Sequence, residues 1–284
     1  MQTELYDGIE IVKITNPHAE AKIALAGGHI MSYIPNGGSE LFWMSSKSDW
    51  EYGKAIRGGI PVCWPWFGDV PGESNKHGFV RNEKWSVKAV AELKDGSTLL
   101  TLELTDKDLK FYKAAFPFAV QMNYYIGKHL EVTLSACNMG DKPVTAATAL
   151  HTYFAVSDIA NVKISGLENV MFSDRVAGSD PTLQKESEPL VIDREVDRLY
   201  VDTASAVTIT DSGSKKAIKI EKTGSNSSVV WNPWIAKSSK MADFAPEGYR
   251  SMVCVEALAA FDDARVLYPG VMVSITQKIT VTEL

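Results

Sequence analysis

Residues 85–105, WSVKAVAELKDGSTLLTLELT, decide the fold of this chain. Two β-rich runs, 85–93 and 97–105, flank the pair Asp95-Gly96. An Asp-Gly pair between two such runs is a strong signal for a β-hairpin. Because a short turn joins neighbouring strands only when they run antiparallel, this stretch predicts an antiparallel hairpin.

Further β-rich runs lie on both sides of this hairpin, separated by turn residues at fairly even spacing. They cover residues 9–15, 21–26, 29–34, 41–45, 118–127, 130–138, 144–156, 162–167, 206–211, 217–222, 228–234, 252–258 and 271–284. A slight helical signal is present only at 108–116 and 239–244. So many strands with so few helices predict an all-β fold. Since open sheets rarely exceed about ten strands, we expect a large antiparallel β-sandwich in which residues 1–284 form a single domain.

The composition is that of an ordinary globular protein, with 45% hydrophobic and 23% charged residues. The net charge of −6, which no basic cluster offsets, argues against a nucleic-acid partner. No signal-peptide pattern and no long apolar run is present, so we expect no membrane partner. Cys63, Cys137 and Cys254 are widely spaced and predict buried free thiols in a reducing compartment. We therefore expect a cytoplasmic protein, and a monomer.

An irregular stretch, RGGIPVCWPWFGDVPGESNKHGFVRNEKW at 57–85, leads into the hairpin. It has a period of neither 2 nor 3.6, and long irregular segments inside a compact domain are usually functional. It contains three tryptophans and two phenylalanines together with Arg57, His77 and Arg81. Aromatic walls with a few convergent polar groups are typical of a pocket for a polar small molecule such as a sugar. A surface loop whose aromatic side chains only cover the core is the alternative.

Four motifs of this chain resemble those of the aldose 1-epimerase superfamily, in particular its hexose-6-phosphate mutarotase branch. They are RGGIPVCWPWFG (57–68), HGFVR (77–81), LHTYF (150–154) and VCVEAL (253–258), and they occur in the family's order. The similarity extends from about Ile23 to the C-terminus. It implies a β-supersandwich fold and a cofactor-independent enzyme that interconverts the α and β anomers of a sugar.

Two residues of these motifs could carry acid–base chemistry. His151 interrupts an apolar run and, by strand alternation, shares a face with Tyr153. Glu256 is the only charged residue between Met252 and Phe261. An unpaired carboxylate there would cost several kcal/mol or would take up a proton. The alternatives are a structural histidine and a glutamate at a point where its strand reaches solvent.

Anomer exchange needs one base, which takes the proton of the C1 hydroxyl, and one acid, which protonates the ring oxygen. The reaction needs no metal, nucleotide or covalent intermediate. The resemblance implies that His151 is the acid and Glu256 the base. We expect a nearby carboxylate to favour the charged form of His151 near neutral pH.

The resemblance also implies a set of substrate-binding residues. It marks Asp197, within DREVDRLY, as a ligand of a sugar hydroxyl, and Arg57 and His77 as residues of the sugar pocket. Without the resemblance, the charges around Asp197 would be read as a solvated segment. Trp231 is a candidate stacking platform or pocket wall, with a core tryptophan as the alternative.

Arg57 and Arg81 bear on the class of substrate. The guanidinium group suits phosphate, and two arginines flanking one loop could clamp a dianion such as that of glucose 6-phosphate. Either arginine could instead pair with an acidic residue of the same loop, Asp69, Glu73 or Glu83. The alternative enzyme is therefore an aldose 1-epimerase acting on free hexose. The alternative outside the enzymes is a non-catalytic carbohydrate-binding protein on the same fold.

Motifs for other chemistries are absent from the sequence. There is no GxGxxG, no GxxxxGK[ST] and no HExxH, and the five histidines show no metal-ligand spacing with one another or with the cysteines. We therefore expect no cofactor and no metal. The resemblance, together with Arg57 and Arg81, implies a small-molecule sugar phosphate as the partner.

Overall fold

The computed structural model describes residues 1–176, 178–179 and 182–284. Strands make up 48% of the structure and helices 7%, so the predicted all-β class is confirmed. The strands of the described residues are β1 (Gln2–Tyr6), β2 (Ile9–Thr15), β3 (Ala19–Ala24), β4 (His29–Pro35), β5 (Val62–Cys63), β6 (Ser86–Glu92), β7 (Thr98–Thr105), β8 (Phe118–Ile126), β9 (Leu130–Asn138), β10 (Val144–Ala146), β11 (Thr148–Leu150), β12 (Tyr153–Ala155), β13 (Val162–Ser165), β14 (Phe172–Asp174), β15 (Leu190–Val191), β16 (Val196–Tyr200), β17 (Val207–Asp211), β18 (Lys216–Thr223), β19 (Ser227–Asn232), β20 (Met252–Ala259), β21 (Arg265–Leu267) and β22 (Met272–Glu283).

The helical elements are short. The described residues include one α-helix, α1 (Trp234–Ser238), and 3-10 turns at Val80–Asn82, Ile159–Asn161, Pro246–Ser251 and Phe261–Asp263. Within the same residues, no helix is both long and apolar enough to cross a membrane.

Two large sheets carry most of the strands. One has nine strands in the order β15-β13-β17-β18-β22-β9-β8-β7-β6, and the other has seven, in the order β14-β16-β19-β20-β11-β5 with β12 also paired to β20. The meander β1–β4 forms a four-stranded sheet, and β10 pairs with β21. Neighbouring strands run antiparallel. The large antiparallel β-sandwich predicted from the sequence is therefore confirmed.

The hairpin at 85–105 forms between β6 and β7, with Glu92 opposite Thr98. Its loop has three residues, since the Leu93 N–H donates to the Ser97 carbonyl at 2.8 Å. Gly96 closes the loop with φ +84, a conformation that glycine adopts without steric cost. The Asp95 carboxylate accepts the Ser97 N–H at 3.0 Å.

The seven-stranded sheet has two different faces, and the alternation of β20 separates them. Val253, Val255 and Ala257 belong to the main core, together with residues of the nine-stranded and four-stranded sheets. Cys254 and Leu258 point to the opposite face and belong to a second, smaller apolar cluster. Glu256, between them in the alternation, lies on that second face, which we call the site face.

Several local predictions differ from the structure. The β-rich run 41–45 forms no strand, and only isolated bridges join Phe42 to Phe154 and Met44 to Gly58. Residues 108–116 form no helix, because the backbone N–H groups of Lys110 and Phe111 both donate to the buried carboxylate of Glu83, at 2.8 Å each. The α-helix near the second helical signal is α1, which ends before residue 239. The run 144–156 is divided among β10, β11 and β12 rather than forming one strand.

Candidate active site

A cavity of about 570 Å³ opens over the site face. Its walls come from the irregular segment 57–85, from β16, β19 and β20, and from the segment after α1. All seven residues that the sequence marks as site candidates line it: Arg57, His77, Arg81, His151, Asp197, Trp231 and Glu256. The structure therefore brings together residues that are distant in the sequence, since Arg57 and Glu256 are 199 positions apart.

His151 and Glu256 lie opposite each other on adjacent antiparallel strands. β11 ends before His151 and β12 begins after it, and both pair with β20 in one continuous register (Leu150↔Ala257, Tyr153↔Cys254). At the gap the His151 backbone N–H donates to the Pro61 carbonyl at 3.1 Å. The side chains remain on the site face, with His151 Nδ1 at 3.3 Å from Glu256 Oε1.

The imidazole of His151 is held between aromatic rings. It stacks on Tyr153, with centroids 4.8 Å apart and an interplanar angle of 8°, as strand alternation predicts for two residues on one face. The edges of His77 and Trp231 meet it at 5.7 and 5.9 Å. These contacts fix the plane of the ring.

The electrostatics of the pair differ from the expectation for His151. Burial, followed by His77 and then by the positive charges of Arg57 and Arg81, lowers the pKa of His151 well below 6.5. Burial, followed by the negative charge of Asp197, raises the pKa of Glu256 well above 4.5. These shifts favour a neutral imidazole beside a protonated carboxyl. They run against the expectation that a nearby carboxylate favours the charged form of His151, because burial acts on both groups and raises the pKa of that carboxyl as well.

His77 lies at the end of the irregular segment in a left-handed conformation, with φ 58. Its Nδ1 accepts the backbone N–H of Gly68 at 3.3 Å, so the proton of the neutral ring is on Nε2. Burial, followed by nearby cations including Arg81, lowers the pKa of His77 to about 3. His77 is therefore a neutral ring that can donate one hydrogen bond from Nε2.

Asp197 and Trp231 are cross-strand partners of β16 and β19. Trp231 belongs to the apolar cluster of the site face and also lines the cavity, so it is both a core residue and a pocket wall. Burial raises the pKa of Asp197, whereas Lys237, whose Nζ is 3.7 Å from its carboxylate, opposes this rise. Lys237 Nζ also lies 6.0 Å from the Trp231 ring centroid.

Arg57 has partners that the sequence did not suggest. Its Nε and Nη2 bind Asp243 Oδ2 at 3.0 and 2.9 Å, and its Nη1 donates to the Tyr153 hydroxyl at 2.8 Å. The alternative left open for Arg57, a pairing with an acidic residue of its own loop, is not the one that forms. The hydroxyl that it binds belongs to the ring on which His151 stacks, so Arg57 also supports the imidazole.

Arg81 is less fully satisfied than Arg57. Its Nη2 donates to the Lys76 carbonyl at 2.7 Å, but its buried Nε has no hydrogen-bond partner in the part of the chain that the structure describes. Burial and the charge of Arg57 lower its pKa. Two neighbouring guanidinium groups with one bound carboxylate, Asp243, leave positive charge in the cavity that an anion would compensate.

Four charged residues of the cavity were not singled out by the sequence analysis: Lys76, Arg175, Lys237 and Asp243. Asp243 was assigned to a helical signal, and no motif distinguished the other three. Arg175 is positioned by its own backbone N–H, which donates to the Asp197 carbonyl at 2.7 Å, and by the Phe261 ring, 4.4 Å from its guanidinium carbon. Only the pairing of distant strands reveals these neighbours.

One group of side chains could also hold a metal ion. A ring nitrogen of His151, Sγ of Cys254 and a carboxylate oxygen of Glu256 all lie within 4.8 Å of one another, and all three residues are buried. Spacing along the chain gave no indication of this group, because the histidine comes from a different strand.

Comparisons with known proteins show the family and the fold of the chain. The family model described as aldose 1-epimerase matches residues 10–280. A protein of Escherichia coli strain K12 named "putative glucose-6-phosphate 1-epimerase" is 35% identical over 263 residues, which are 92% of this chain and 86% of that protein. A protein of the same name from Salmonella typhimurium is 34% identical over 255 residues, 89% and 84% of the two chains. The crystal structure of a "putative mutarotase" from Salmonella typhimurium superposes with a TM-score of 0.90 at 31% identity, covering 99% of this chain and 93% of that one. The chain belongs to the aldose 1-epimerase family.

Proposed function

We propose that this protein is a hexose-6-phosphate 1-epimerase that interconverts the α and β anomers of glucose 6-phosphate. The observation that carries the proposal is the His151–Glu256 pair in one cavity with Arg57 and Arg81. Of these two arginines only Arg57 binds a carboxylate of the described residues, that of Asp243, so positive charge remains in the cavity. The names of the relatives at about 35% identity also support this substrate. A titratable acid–base pair suits catalysis, and a cationic wall suits a sugar that carries a dianion.

The reaction needs a single mobile proton in the pair. Glu256 as carboxylate takes the proton of the C1 hydroxyl while His151 as imidazolium protonates the ring oxygen, so the ring opens to the aldehyde. Rotation about the C1–C2 bond exposes the other face of the aldehyde. The reverse transfers then close the ring as the other anomer and restore the pair.

Substrate binding supplies the charge change that places this proton on His151. In the empty pocket Arg57 and Arg81 are among the groups that lower the pKa of His151. A phosphate dianion bound at those arginines compensates their charge and raises the pKa of His151. The proton of Glu256 can then move to His151, which yields the imidazolium and the carboxylate that ring opening requires.

Three other residues suit contacts with the sugar. Trp231 presents an apolar wall beside His151, and His77 can donate a hydrogen bond from Nε2. Asp197 carries a carboxyl that can accept from, or donate to, a hydroxyl group. Aromatic faces with a few oriented polar groups are the usual way in which a pocket holds a hexose.

One observation favours a second candidate, an aldose 1-epimerase acting on free hexose. Arg57 already has Asp243 and Tyr153 as partners. Of the two arginines, Arg81 would therefore be the main phosphate ligand. A single arginine gives a weaker preference for phosphate than two would.

Magnetisation-transfer NMR tests both candidates. The rate of α–β exchange is measured for glucose 6-phosphate and for glucose, with wild-type protein, with Glu256→Gln protein and without protein. We expect wild type to accelerate exchange of the phosphate ester much more than that of glucose, and Glu256→Gln to remove most of the acceleration. Faster exchange of glucose would establish the second candidate. Binding without acceleration of either exchange would identify a carbohydrate-binding protein instead.

A further inference from the structure

Three buried side chains on the site face place a nitrogen, a sulfur and an oxygen atom, each a possible metal ligand, close to one another. Cys254 and Glu256 are two residues apart on β20 and therefore share a face, and His151 lies opposite Glu256. Their nitrogen, sulfur and oxygen atoms lie within 4.8 Å of one another. Cys254 is not needed for the proposed proton transfers, so its place beside the pair is unexplained by them.

Two atoms of this group are unsatisfied. His151 Nδ1 and Glu256 Oε2 are buried and make no hydrogen bond among the described residues, although Nδ1 lies 3.3 Å from Glu256 Oε1. Buried polar atoms nearly always have a partner, and each exception calls for an explanation such as a catalytic role or a bound ion. Both atoms belong to side chains that line the cavity, so a ligand can reach them from solvent.

The donor set selects the kind of ion. Thiolate, imidazole and carboxylate together suit Zn²⁺, whereas Mg²⁺ and Ca²⁺ prefer oxygen donors alone. Zinc bonds of about 2.0–2.3 Å in a tetrahedron place neighbouring donors about 3.3–3.6 Å apart. Donors at the full separation of 4.8 Å would have to approach by roughly 1.2–1.5 Å.

Charge balance permits such a complex in spite of the nearby arginines. Arg57 and Arg81 oppose the entry of a dication. Binding, however, releases one proton from the Cys254 thiol and one from the Glu256 carboxyl, while His151 coordinates as the neutral ring. Two negative ligands cancel the charge of the ion, so the occupied site is neutral and the cavity gains no positive charge.

We propose that His151, Cys254 and Glu256 form an inhibitory Zn²⁺ site. The inhibition rests on the proposed function, because bound zinc would occupy the two groups that exchange protons with the sugar. The binding itself does not rest on it.

Variants of the cysteines test the site. The protein is incubated with ZnCl₂, assayed for anomer exchange, and then treated with EDTA. We expect wild type to lose its activity with zinc and to regain it with EDTA. Cys254→Ser should keep basal activity but require at least about 100-fold more zinc, since even changes outside the ligand shell cost 10–100-fold in affinity. Cys63→Ser, which alters another fully buried free thiol, should respond as wild type.

Cobalt provides a readout that does not depend on activity. Co²⁺ bound by a thiolate gives a charge-transfer absorption band, which we expect in wild type and in Cys63→Ser but not in Cys254→Ser. If Cys254→Ser does not fold, Cys254→Ala takes its place. Equal zinc sensitivity in wild type and the Cys254 variant, or no thiolate band at saturating Co²⁺, would overturn the proposal. A thiolate band in a protein without epimerase activity would leave the metal site intact and would count against the proposed function alone.

Discussion

His151 Nδ1 and Glu256 Oε1 lie 3.3 Å apart because the register of β11 and β12 on β20 makes the two residues direct cross-strand neighbours. Burial lowers the pKa of the first and raises that of the second. Shifts in these opposite directions favour a pair that shares one proton, with the carboxyl of Glu256 as its favoured position. Two groups that share one proton behave as one unit, both in titration and in catalysis.

Removing either member should disable the pair. Glu256→Gln keeps the shape of the side chain without a basic carboxylate, and His151→Asn keeps a polar group without a titratable one. Positioned acid or base catalysis contributes typically 10²–10⁴-fold, so we expect each variant to lower kcat by about that factor. The double variant should lose less than the product of the two single losses, because both groups serve one step.

Exchange rates from NMR and sugar-phosphate affinities from calorimetry provide the measurement. Glu221→Gln, which alters an exposed glutamate paired with Lys219, is the matched control and should behave as wild type. A folded Glu256→Gln protein that binds glucose 6-phosphate and exchanges its anomers at the wild-type rate would end the proposed mechanism.

Arg81 should distinguish phosphorylated from free sugar. Its buried Nε lacks a partner among the described residues, so a phosphate oxygen is the contact that it would gain on binding. A hydrogen bond to a charged group contributes about 1.5–3 kcal/mol, which corresponds to roughly a ten- to hundredfold change. We expect Arg81→Ala to lower kcat/KM for glucose 6-phosphate by that factor and for glucose much less.

Two comparisons complete this experiment. Arg81→Lys keeps the charge without the guanidinium fork and should give an intermediate loss. Arg265→Ala removes a surface arginine paired with Asp263 and should leave kcat/KM unchanged for both glucose 6-phosphate and glucose. Equal losses for both sugars in Arg81→Ala would make Arg81 a residue that shapes the pocket, and the phosphate assignment would fall.

The sequence predicted the parts of this molecule that depend on local pattern. The hairpin at 85–105 follows from Asp95-Gly96 between two β-rich runs, and the shared face of His151 and Tyr153 follows from strand alternation. Motif resemblance, a longer-range signal, marked five of the seven candidates that the structure places around one cavity, and Arg81 and Trp231 were chosen from the chemistry of their side chains.

Long-range pairing accounts for what the sequence did not predict. The Arg57–Asp243 ion pair joins residues 186 positions apart, and no local pattern connects them. The expected helix at 108–116 is lost because Glu83, in another segment, accepts its backbone N–H groups. The direction of the pKa shift of His151 differs from the expectation for the same reason, since it depends on burial by the fold and then on His77 and on arginines that the fold brings close.

Gly78 should be essential to the wall that carries His77. A Cβ at residue 78 would lie 1.9 Å from the carbonyl oxygen of Trp64, a backbone atom that cannot move away alone. Gly72, in the same irregular segment, also has a left-handed φ, but a Cβ there would have no atom within 4 Å. In each variant the alanine must adopt a left-handed conformation, which costs roughly 1–2 kcal/mol. The difference between the unfolding free energies of the two variants therefore reports the cost of the clash with Trp64.

Denaturant unfolding of the two variants measures that difference. We expect Gly72→Ala to lose about 1–2 kcal/mol of unfolding free energy and to keep wild-type kcat/KM. Gly78→Ala should lose clearly more and should also lower kcat/KM, because the displaced backbone carries His77. Equal free energies of unfolding in the two variants would contradict the role assigned to the close approach at Trp64.

The pH dependence of kcat/KM should reflect a reversed order of ionisation in the pair. With the ordinary values of 4.5 for glutamate and 6.5 for histidine, the acidic limb would come from Glu256 and the basic limb from His151. The structure lowers the pKa of His151 and raises that of Glu256. Protonation of His151 should therefore set the acidic limb, below pH 6.5, and loss of the Glu256 proton should set the basic limb, above pH 4.5.

Profiles of kcat/KM report the free enzyme, so the ionisations of the empty pocket are the relevant ones. Because the substrate phosphate itself titrates near pH 6, the profile must be repeated with free glucose. NMR of the ¹⁵N-labelled imidazoles, with His151→Asn to assign the signal, should show a neutral His151 ring at pH 6.5. Infrared difference spectra should show the band of a protonated carboxyl at pH 4.5, and this band should be absent in Glu256→Gln. Most of the band should persist at pH values at which an ordinary glutamate is ionised. A charged His151 ring at pH 6.5 together with an ionised Glu256 would mean that the pair is an ordinary ion pair, and the proton would then reach His151 without help from the substrate phosphate.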